Sequence, residues 1–379
     1  MKKIGIIFGT RPEAIKMAPI VKEFKKYKDR YETRVIVTAQ HREMLDQVLS
    51  EFSITPDIDL DLMVENQTLS GFSARAIDKL DGVIDETFDM LLVHGDTTTT
   101  FVATLVGFYH RVPVGHVEAG LRTYNLYQPF PEEANRRITD LLASYYFAPT
   151  KGAKENLLKE GVSKERIFIT GNSVIDALFM VVSPNYKFSD PNLSALDPEK
   201  TILITQHRRE NWGPPMKEVA YAIRDIARAH PDFKVVFSLH KNPKARGPVL
   251  EVLKDVPSIY FKEAMDYVEF ANLINKAYII ITDSGGIQEE APSLGKPVLV
   301  TREVTERPEA VKYGTVKLVG PNRRKIVDEV KKLITNKEYY TSMAHAKNPY
   351  GDGHAAIRTR EAVDHIFFNT PRPWDFDIS

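Results

Sequence analysis

Residues 90–118 read MLLVHGDTTTTFVATLVGFYHRVPVGHVE, and the fold follows from how this stretch is parsed. Met90–Val93 is an apolar run of strand length, without polar alternation, as in a strand buried on both faces. It ends at His94-Gly95-Asp96. Thr98–Tyr109 has the length and composition of a helix, and Val112–Val117 is a second strand that ends at Glu118. Strand, helix and strand in one pass form a right-handed βαβ unit, which requires a parallel sheet. Ligands of such sheets bind beyond the carboxyl ends of the strands. Asp96 and Glu118 both sit there.

The same grammar extends in both directions. Upstream, Lys3–Phe8 reads as a strand that turns at Gly9-Thr10. A helix starts in Thr10-Arg11-Pro12-Glu13, marked by threonine and glutamate three apart and by proline in the first turn. Arg34–Thr38 is a strand; His41–Phe52 and Gln67–Glu86 are helices. Downstream come a helix at Glu132–Tyr145, a strand at Tyr146–Ala148, a helix at Lys154–Lys159 and a strand at Ile167–Thr170. Ser183–Pro198 breaks the pattern with three prolines and few apolar residues, so it reads as a loop near a domain boundary. A second α/β set follows, with strands at Thr201–Thr205, Lys234–Leu239, Ile259–Phe261, Tyr278–Thr282 and Val298–Val300, and a last helix at Ala355–Phe368. The 379 residues suit two domains at roughly 100–200 residues each.

Composition removes several function classes. Lys+Arg and Asp+Glu are both 51, so bulk charge offers nothing to nucleic acid or a membrane surface. There is no cysteine, which excludes disulfides, thiolate nucleophiles and Cys-ligated metals. The start lacks a signal peptide, and no apolar stretch approaches the roughly 18 residues of a membrane span. A cytoplasmic location is expected.

Several constellations carry chemistry. Thr282-Asp283-Ser284-Gly285-Gly286 follows a buried strand and precedes a helix expected at Ile287–Leu294. Two glycines there let backbone N–H groups converge on an anion, although a plain tight turn has the same composition. Gly9-Thr10-Arg11-Pro12-Glu13 occupies the matching place in the first half, without dinucleotide or Walker spacing. Arg11 and Lys16 could be solvated surface charges, or could neutralise a diphosphate. Asp96, Glu118 and Glu132 are candidate proton carriers, since taking a proton from a sugar carbon needs a carboxylate or imidazole held close to it. A lone acid is more often a helix cap or an exposed ion pair; two at strand ends of one sheet favour function. His94, His116, His207 and His240 also fall near strand ends. No local spacing among them matches a metal site, so no metal is expected. His207, followed by Arg208 and Arg209, suggests an anion site.

Taken in order, the segments Phe8-Gly-Thr-Arg-Pro-Glu-Ala-Ile-Lys16, Thr38-Ala-Gln-His-Arg42, Val93-His-Gly-Asp-Thr-Thr-Thr-Thr100, Gly115-His-Val-Glu-Ala-Gly-Leu-Arg122, Pro131-Glu-Glu133, His207-Arg-Arg-Glu-Asn211, Thr282-Asp-Ser-Gly-Gly-Ile-Gln-Glu-Glu290, Thr305-Glu-Arg-Pro-Glu309 and Asn348-Pro-Tyr-Gly-Asp-Gly353 resemble the motif set of the non-hydrolysing UDP-N-acetylglucosamine 2-epimerases. Any one piece is weak; the ordered set spans nearly the whole chain. The resemblance implies an α/β protein of two Rossmann-like domains in a GT-B-type arrangement with an interdomain cleft. It implies an N-terminal domain of 1–172 plus the C-terminal helix 355–379, and a UDP-binding domain of 173–354. It also implies a homodimer that interconverts UDP-GlcNAc and UDP-ManNAc, with no cofactor, through loss of UDP and of the C2 proton to a 2-acetamidoglucal.

Position by position, Asp96, Glu118, Glu132 and His207 resemble the family's catalytic residues. Arg11, Lys16 and Arg136 resemble residues lining its sugar–diphosphate site, Ser284, Gly285 and Gly286 its diphosphate loop, and Glu290 its ribose-binding acid. Phe270 falls where the family packs an aromatic ring near uracil. Gln40, Glu43, Arg208 and His240 fall near a second, activating UDP-GlcNAc site. Three departures stand out: Gln206 before His207, Lys241 after His240, and Tyr124 where glycine is common. A GT-B glycosyltransferase, a hydrolysing epimerase and a non-catalytic nucleotide-sugar binder remain open alternatives.

Overall fold

Strands without polar alternation need cover on both faces, and the chain builds two parallel sheets flanked by helices. The computed structural model describes all residues except His41, Lys241, Ala264, Ile378 and Ser379. Those exceptions include the histidine of the Thr38–Arg42 motif and the Lys241 departure, which therefore lie outside the described residues. Two compact units result, Met1–Met180 with Tyr350–Ser379, and Val181–Pro349.

Unit 1 holds β1 (Lys2–Phe8), β2 (Tyr31–Val37), β3 (Ile58–Asp59), β4 (Met90–His94), β5 (Val114–Val117), β6 (Tyr145–Ala148) and β7 (Ile167–Ile169). They pair in parallel in the order β3-β2-β1-β4-β5-β6-β7. In register, Ile4 faces Met90 and His94 faces Val117. Ile7, Ile36, Leu91 and Val93 pack against Val102, Ala103 and Val106 of the helix Thr98–Tyr109. The chain builds outward from β1 on one side, then crosses to build outward from β4 on the other. The reversal between β1 and β4 is a topological switch point, where the loops part and leave a crevice.

Unit 2 repeats the plan with β8 (Thr201–Thr205), β9 (Lys234–Ser238), β10 (Ile259–Lys262), β11 (Ile279–Thr282), β12 (Val298–Val300) and β13 (Val316–Leu318), in the order β10-β9-β8-β11-β12-β13. Its switch point lies between β8 and β11. The core gathers Ile202, Ile204, Val235 and Ile281 with Met216, Val219 and Ile223 of the helix Pro214–Ala229. These two Rossmann-like sheets are the pair expected of a GT-B-type α/β fold.

All but the last residue of the helix Ser173–Val181 belongs to unit 1, so the boundary falls between Met180 and Val181 rather than at 172/173. The reason is its buried face. Asp176 accepts the N–H groups of Ala355 (3.1 Å) and Ala356 (2.8 Å), capping the C-terminal helix Ala355–Phe368. Asn172 N–H donates to Tyr350 O at 2.6 Å, which brings the return crossing in at 350 rather than 355. The same C-terminal helix is tied to the helix Arg11–Lys26 by Arg360, whose Nε donates to Glu23 at 3.1 Å. Among the described residues no helix is long and apolar enough to cross a membrane.

Candidate functional site

In unit 1 the switch point carries a pocket of ≈ 490 Å³ lined by Thr10, Arg11, Gln40, Asp96, Glu132 and Asn135, among others. Arg11 and Thr10 arrive from the β1 turn. Gly9 is required there, since a β-carbon would come within 2.0 Å of Thr38 Oγ1 and 2.5 Å of Thr99 Oγ1. Glu13 fixes the helix start: its carboxylate accepts Thr10 N–H (2.8 Å) and Gly9 N–H (3.1 Å), and the Thr97 and Thr100 hydroxyls donate to its other oxygen. Burial pushes the Glu13 carboxyl up, against those hydrogen bonds. Its oxygens are occupied by the scaffold, so Glu13 shapes the site.

Asp96 follows Gly95, which has a φ of 71°. Arg136 pairs with Asp96 and also reaches Glu133 at 3.1 Å, and Asn135 donates to the Asp96 carbonyl at 3.0 Å. Glu132 opens the helix Glu132–Leu142, where the helix dipole favours a carboxylate. One of its oxygens is buried without a hydrogen-bond partner among the described residues.

Glu118 sits next to β5 with a φ of 66°, a conformation that costs a non-glycine residue about 1–3 kcal/mol and tends to cluster at functional sites. Lys16 Nζ lies 2.5 Å from its Oε2 and Asn172 Nδ2 donates to the same oxygen at 2.9 Å. Lys16, expected to face a diphosphate, is thus also the counter-ion of the candidate acid. Behind them His94 is fully enclosed, its Nε2 3.7 Å from Glu118 Oε2. Burial holds its imidazole down at about 4, so it is neutral near pH 7, and neither ring nitrogen has a hydrogen-bond partner among the described residues.

Unit 2 places its candidates at the β8/β11 switch point. Asp283, fully buried, accepts the N–H groups of His207 (2.8 Å) and Arg208 (3.0 Å) and the Asn211 side chain (2.9 Å). It clamps the loop after β8 to the loop after β11. Gln206 turns inward and hydrogen-bonds Thr301 Oγ1 at 2.8 Å, so this departure is absorbed in the core. The His207 ring lies 5.8 Å from His240. Surrounding protein lowers the His207 imidazole, but the residue is exposed and solvent screens the effect. His240 Nδ1 accepts Asn242 N–H at 2.9 Å, which puts the proton on Nε2 when the ring is neutral.

Ser284, Gly285 and Gly286 open the helix Gly285–Glu290. A β-carbon at 285 would find its nearest neighbours, the Arg208 and Arg307 guanidiniums, only at 3.9–4.0 Å. Arg208 is paired with Glu306 (2.8 Å), and Arg307 with Glu289. Burial pushes the Glu306 carboxyl up, but Arg302 and Arg208 hold it at about 2. Glu290 accepts Tyr267 Oη at 2.8 Å and lies 3.6 Å from where a Gly286 β-carbon would be. Phe270 is half-buried three residues on from Tyr267, on the same side of the helix Tyr267–Lys276.

Unit 1 therefore brings Arg11, Asp96, Glu132 and Gln40 to one pocket, with Arg136 on Asp96, and pairs Lys16 with Glu118. Glu43 is exposed on the helix Arg42–Glu51. Unit 2 gathers Ser284, Gly285, Gly286, Glu290 and Arg208 around one turn, and sets His207 against His240. No group of three or more metal-ligating side chains occurs among the described residues. Sequence reading left His94, Asn172, Glu133, Asn135 and Asp140 unassigned. Only His94 carried a signal, its place at the end of β4.

A family model described as UDP-N-acetylglucosamine 2-epimerase matches residues 22–364. The UDP-N-acetylglucosamine 2-epimerase of Yersinia pestis is 53% identical over 375 residues, covering 95% of this chain and 98% of that protein. The enzyme of that name from Bacillus subtilis is 49% identical over 380 residues, covering 99% of each. The crystal structure of UDP-GlcNAc 2-epimerase from Neisseria meningitidis bound to UDP-GlcNAc superposes with a TM-score of 0.83 at 48% identity, over 95% of this chain and 99% of that one.

Proposed function

Because the chain belongs to the UDP-N-acetylglucosamine 2-epimerase family, we propose that it interconverts UDP-GlcNAc and UDP-ManNAc by the non-hydrolysing route, as an isomerase that needs no metal or nicotinamide. The observation that carries this reading is the set of acids at the first switch point. Asp96 and Glu132 share a pocket with Arg11, and Glu118 is held in a left-handed conformation against Lys16. A binding module has no use for three acids near an anionic ligand, because carboxylates repel a diphosphate.

The chemistry runs in two stages. A carboxylate removes the C2 proton while UDP departs, which leaves a 2-acetamidoglucal; UDP then re-adds as a proton is delivered to the opposite face of C2. The two substrates present that proton on opposite faces, so two of Asp96, Glu118 and Glu132 divide the work. Arg11, Lys16, Arg136 and His207 stabilise the charge that grows on the leaving diphosphate. Ser284, Gly285 and Gly286 offer backbone N–H groups to that diphosphate, Glu290 holds the ribose and Phe270 packs by the base. The Neisseria relative's bound UDP-GlcNAc supports the choice of ligand. Gln40, Glu43, Arg208 and His240 are assigned to an activating second UDP-GlcNAc. The nucleotide-binding domain is taken as Val181–Pro349 and the acid-bearing one as Met1–Met180 with Tyr350–Ser379. A homodimer fits the apolar side chains that unit 1 exposes, among them Phe108, Tyr109, Ile138 and Leu141. The reaction is placed in the cytoplasm, where nucleotide sugars are made.

Incubation of EDTA-treated protein with UDP-GlcNAc in deuterated water, followed by proton NMR, tests the reading. UDP-ManNAc with deuterium at C2 is expected. Free ManNAc and UDP would make it a hydrolysing enzyme. An unchanged spectrum would leave a glycosyltransferase awaiting its acceptor, or a binder.

A further inference from the structure

His116 is fully buried on β5 and Asp140 nearly so on the helix Glu132–Leu142. The imidazole uses both nitrogens. Nε2 lies 2.7 Å from the carbonyl of Gly95, the residue before Asp96. Nδ1 lies 2.6 Å from Asp140 Oδ1. Asp140 Oδ2 accepts the N–H of Gly120 at 3.1 Å, two residues after Glu118, and sits 2.8 Å from the buried Arg122 guanidinium. Gly120 has a φ of 85°, and a β-carbon there would come within 2.3 Å of the Ala153 carbonyl, so the segment has no room to drift. Burial would push the Asp140 carboxyl up, but His116 and Arg122 hold it below the usual range.

Stability alone does not call for this arrangement. Replacing a buried ion pair with well-packed apolar side chains is often neutral or stabilising. What apolar side chains could not supply is the pair of backbone contacts: a carbonyl next to one candidate acid and an N–H two residues from the other, on different loops. We infer that the His116–Asp140 pair is a positioning unit that sets the spacing of Asp96 and Glu118. The inference rests on the epimerase reading for what the two acids do, but not for the geometry it predicts.

Kinetics and structures of His116→Leu, His116→Gln and Asp140→Asn test it. In His116→Leu and Asp140→Asn, kcat should fall on the order of 100-fold, as for catalytic groups misplaced by about an ångström. KM and the UDP dissociation constant should stay within about threefold of wild type, because ground-state binding is untouched. His116→Gln, whose amide still reaches toward the Gly95 carbonyl, should recover about tenfold of the loss. In the double variant His116→Leu/Glu118→Gln the losses should not multiply, since coupled residues are non-additive. Multiplying losses, or a rise in KM with kcat kept, would overturn the inference. Should His116→Leu fail to fold, Asp140→Asn and His116→Gln carry the test. An inactive wild type would sink the epimerase reading alone. The inference would then stand or fall on crystal structures of the folded variants: displaced 95–96 and 118–120 backbones support it, and unmoved ones refute it.

Discussion

The two switch points solve different problems with one topology. At the first, side chains are concentrated and the backbone is strained. All eight non-glycine residues with positive φ among those described lie in unit 1, and two of them, Glu118 and Tyr124, bracket the segment that leads to Glu132. At the second, the turn is built from glycines and its arginines rest on carboxylates, Arg208 on Glu306 and Arg307 on Glu289. Strain at the first site persists because the helix Glu132–Leu142 over-determines it. Glu133 accepts the N–H groups of Thr123 and Tyr124 at 3.0 Å each, Arg136 and Asn135 hold Asp96, and Asp140 holds Gly120. A site that positions proton carriers needs that rigidity. One that grips a diphosphate needs open backbone N–H groups and cations that can exchange partners.

The contrast breaks first if the acids prove dispensable. Asp96→Asn, Glu118→Gln and Glu132→Gln should each lower turnover on the order of 100-fold or more, as expected for positioned acid–base groups. UDP affinity should hold or rise slightly, since each change removes a negative charge near an anion. Arg11→Ala should weaken both turnover and UDP binding, because a charge-assisted contact is lost in ground and transition states alike. Steady-state kinetics with calorimetry on UDP separates the two patterns. Wild-type turnover in all three acid variants would leave the strained site without a chemical role.

Much of this was legible in the sequence, for physical reasons. β8 and β12 keep the residues expected of them because each is a buried run, and the C-terminal helix does because Asn369, in the left-handed region, ends it. The strand Ile58–Asp59 is too short to carry a pattern, and Val316–Leu318 has the partly exposed Lys317 at its centre where β12 is apolar and buried throughout. The helix expected over Glu132–Tyr145 stops at Leu142 because Tyr145 begins the next strand. Asp96 and Glu118 could be found because strand ends are visible in sequence. Their tethers could not: Asp140 meets His116 across 24 residues and Asn172 meets Glu118 across 54. Nothing periodic marks a hydrogen bond closed by tertiary folding. Gln206 illustrates the converse, a departure that sequence flagged and the core absorbs.

The second switch point makes the next prediction. A β-carbon at Gly285 has no neighbour closer than 3.9 Å, and the residue is not in the positive-φ region, so Gly285→Val should fold. It should nonetheless block close approach of phosphates to the turn and cost UDP at least about tenfold in affinity, about 1.4 kcal/mol. Calorimetry on the folded variant decides it. Unchanged affinity would remove the glycine turn from the site and leave unit 2 without its half of the comparison.

The smallest effect probes the strain itself. Tyr124, one of the three departures from the resembled family's pattern, has a φ of 60°, a conformation that glycine adopts freely. Its hydroxyl makes one exposed contact, to Asn156 at 2.9 Å, so a direct comparison of tyrosine with glycine mixes strain with a lost hydrogen bond. Comparing Tyr124→Gly with Tyr124→Ala removes that ambiguity, because both lack the ring. At an ordinary position alanine is the more stabilising residue by about 0.5–1 kcal/mol, since glycine has more freedom to lose on folding. In the left-handed region the β-carbon costs about 1–2 kcal/mol, which outweighs that entropy. The order of the two thermal midpoints should therefore invert, with the glycine variant melting higher. Turnover should change little in either, provided Glu133 still holds the 123–124 backbone. If alanine melts higher, position 124 stores no strain, and the case for an over-determined first site would then rest on Glu118 alone.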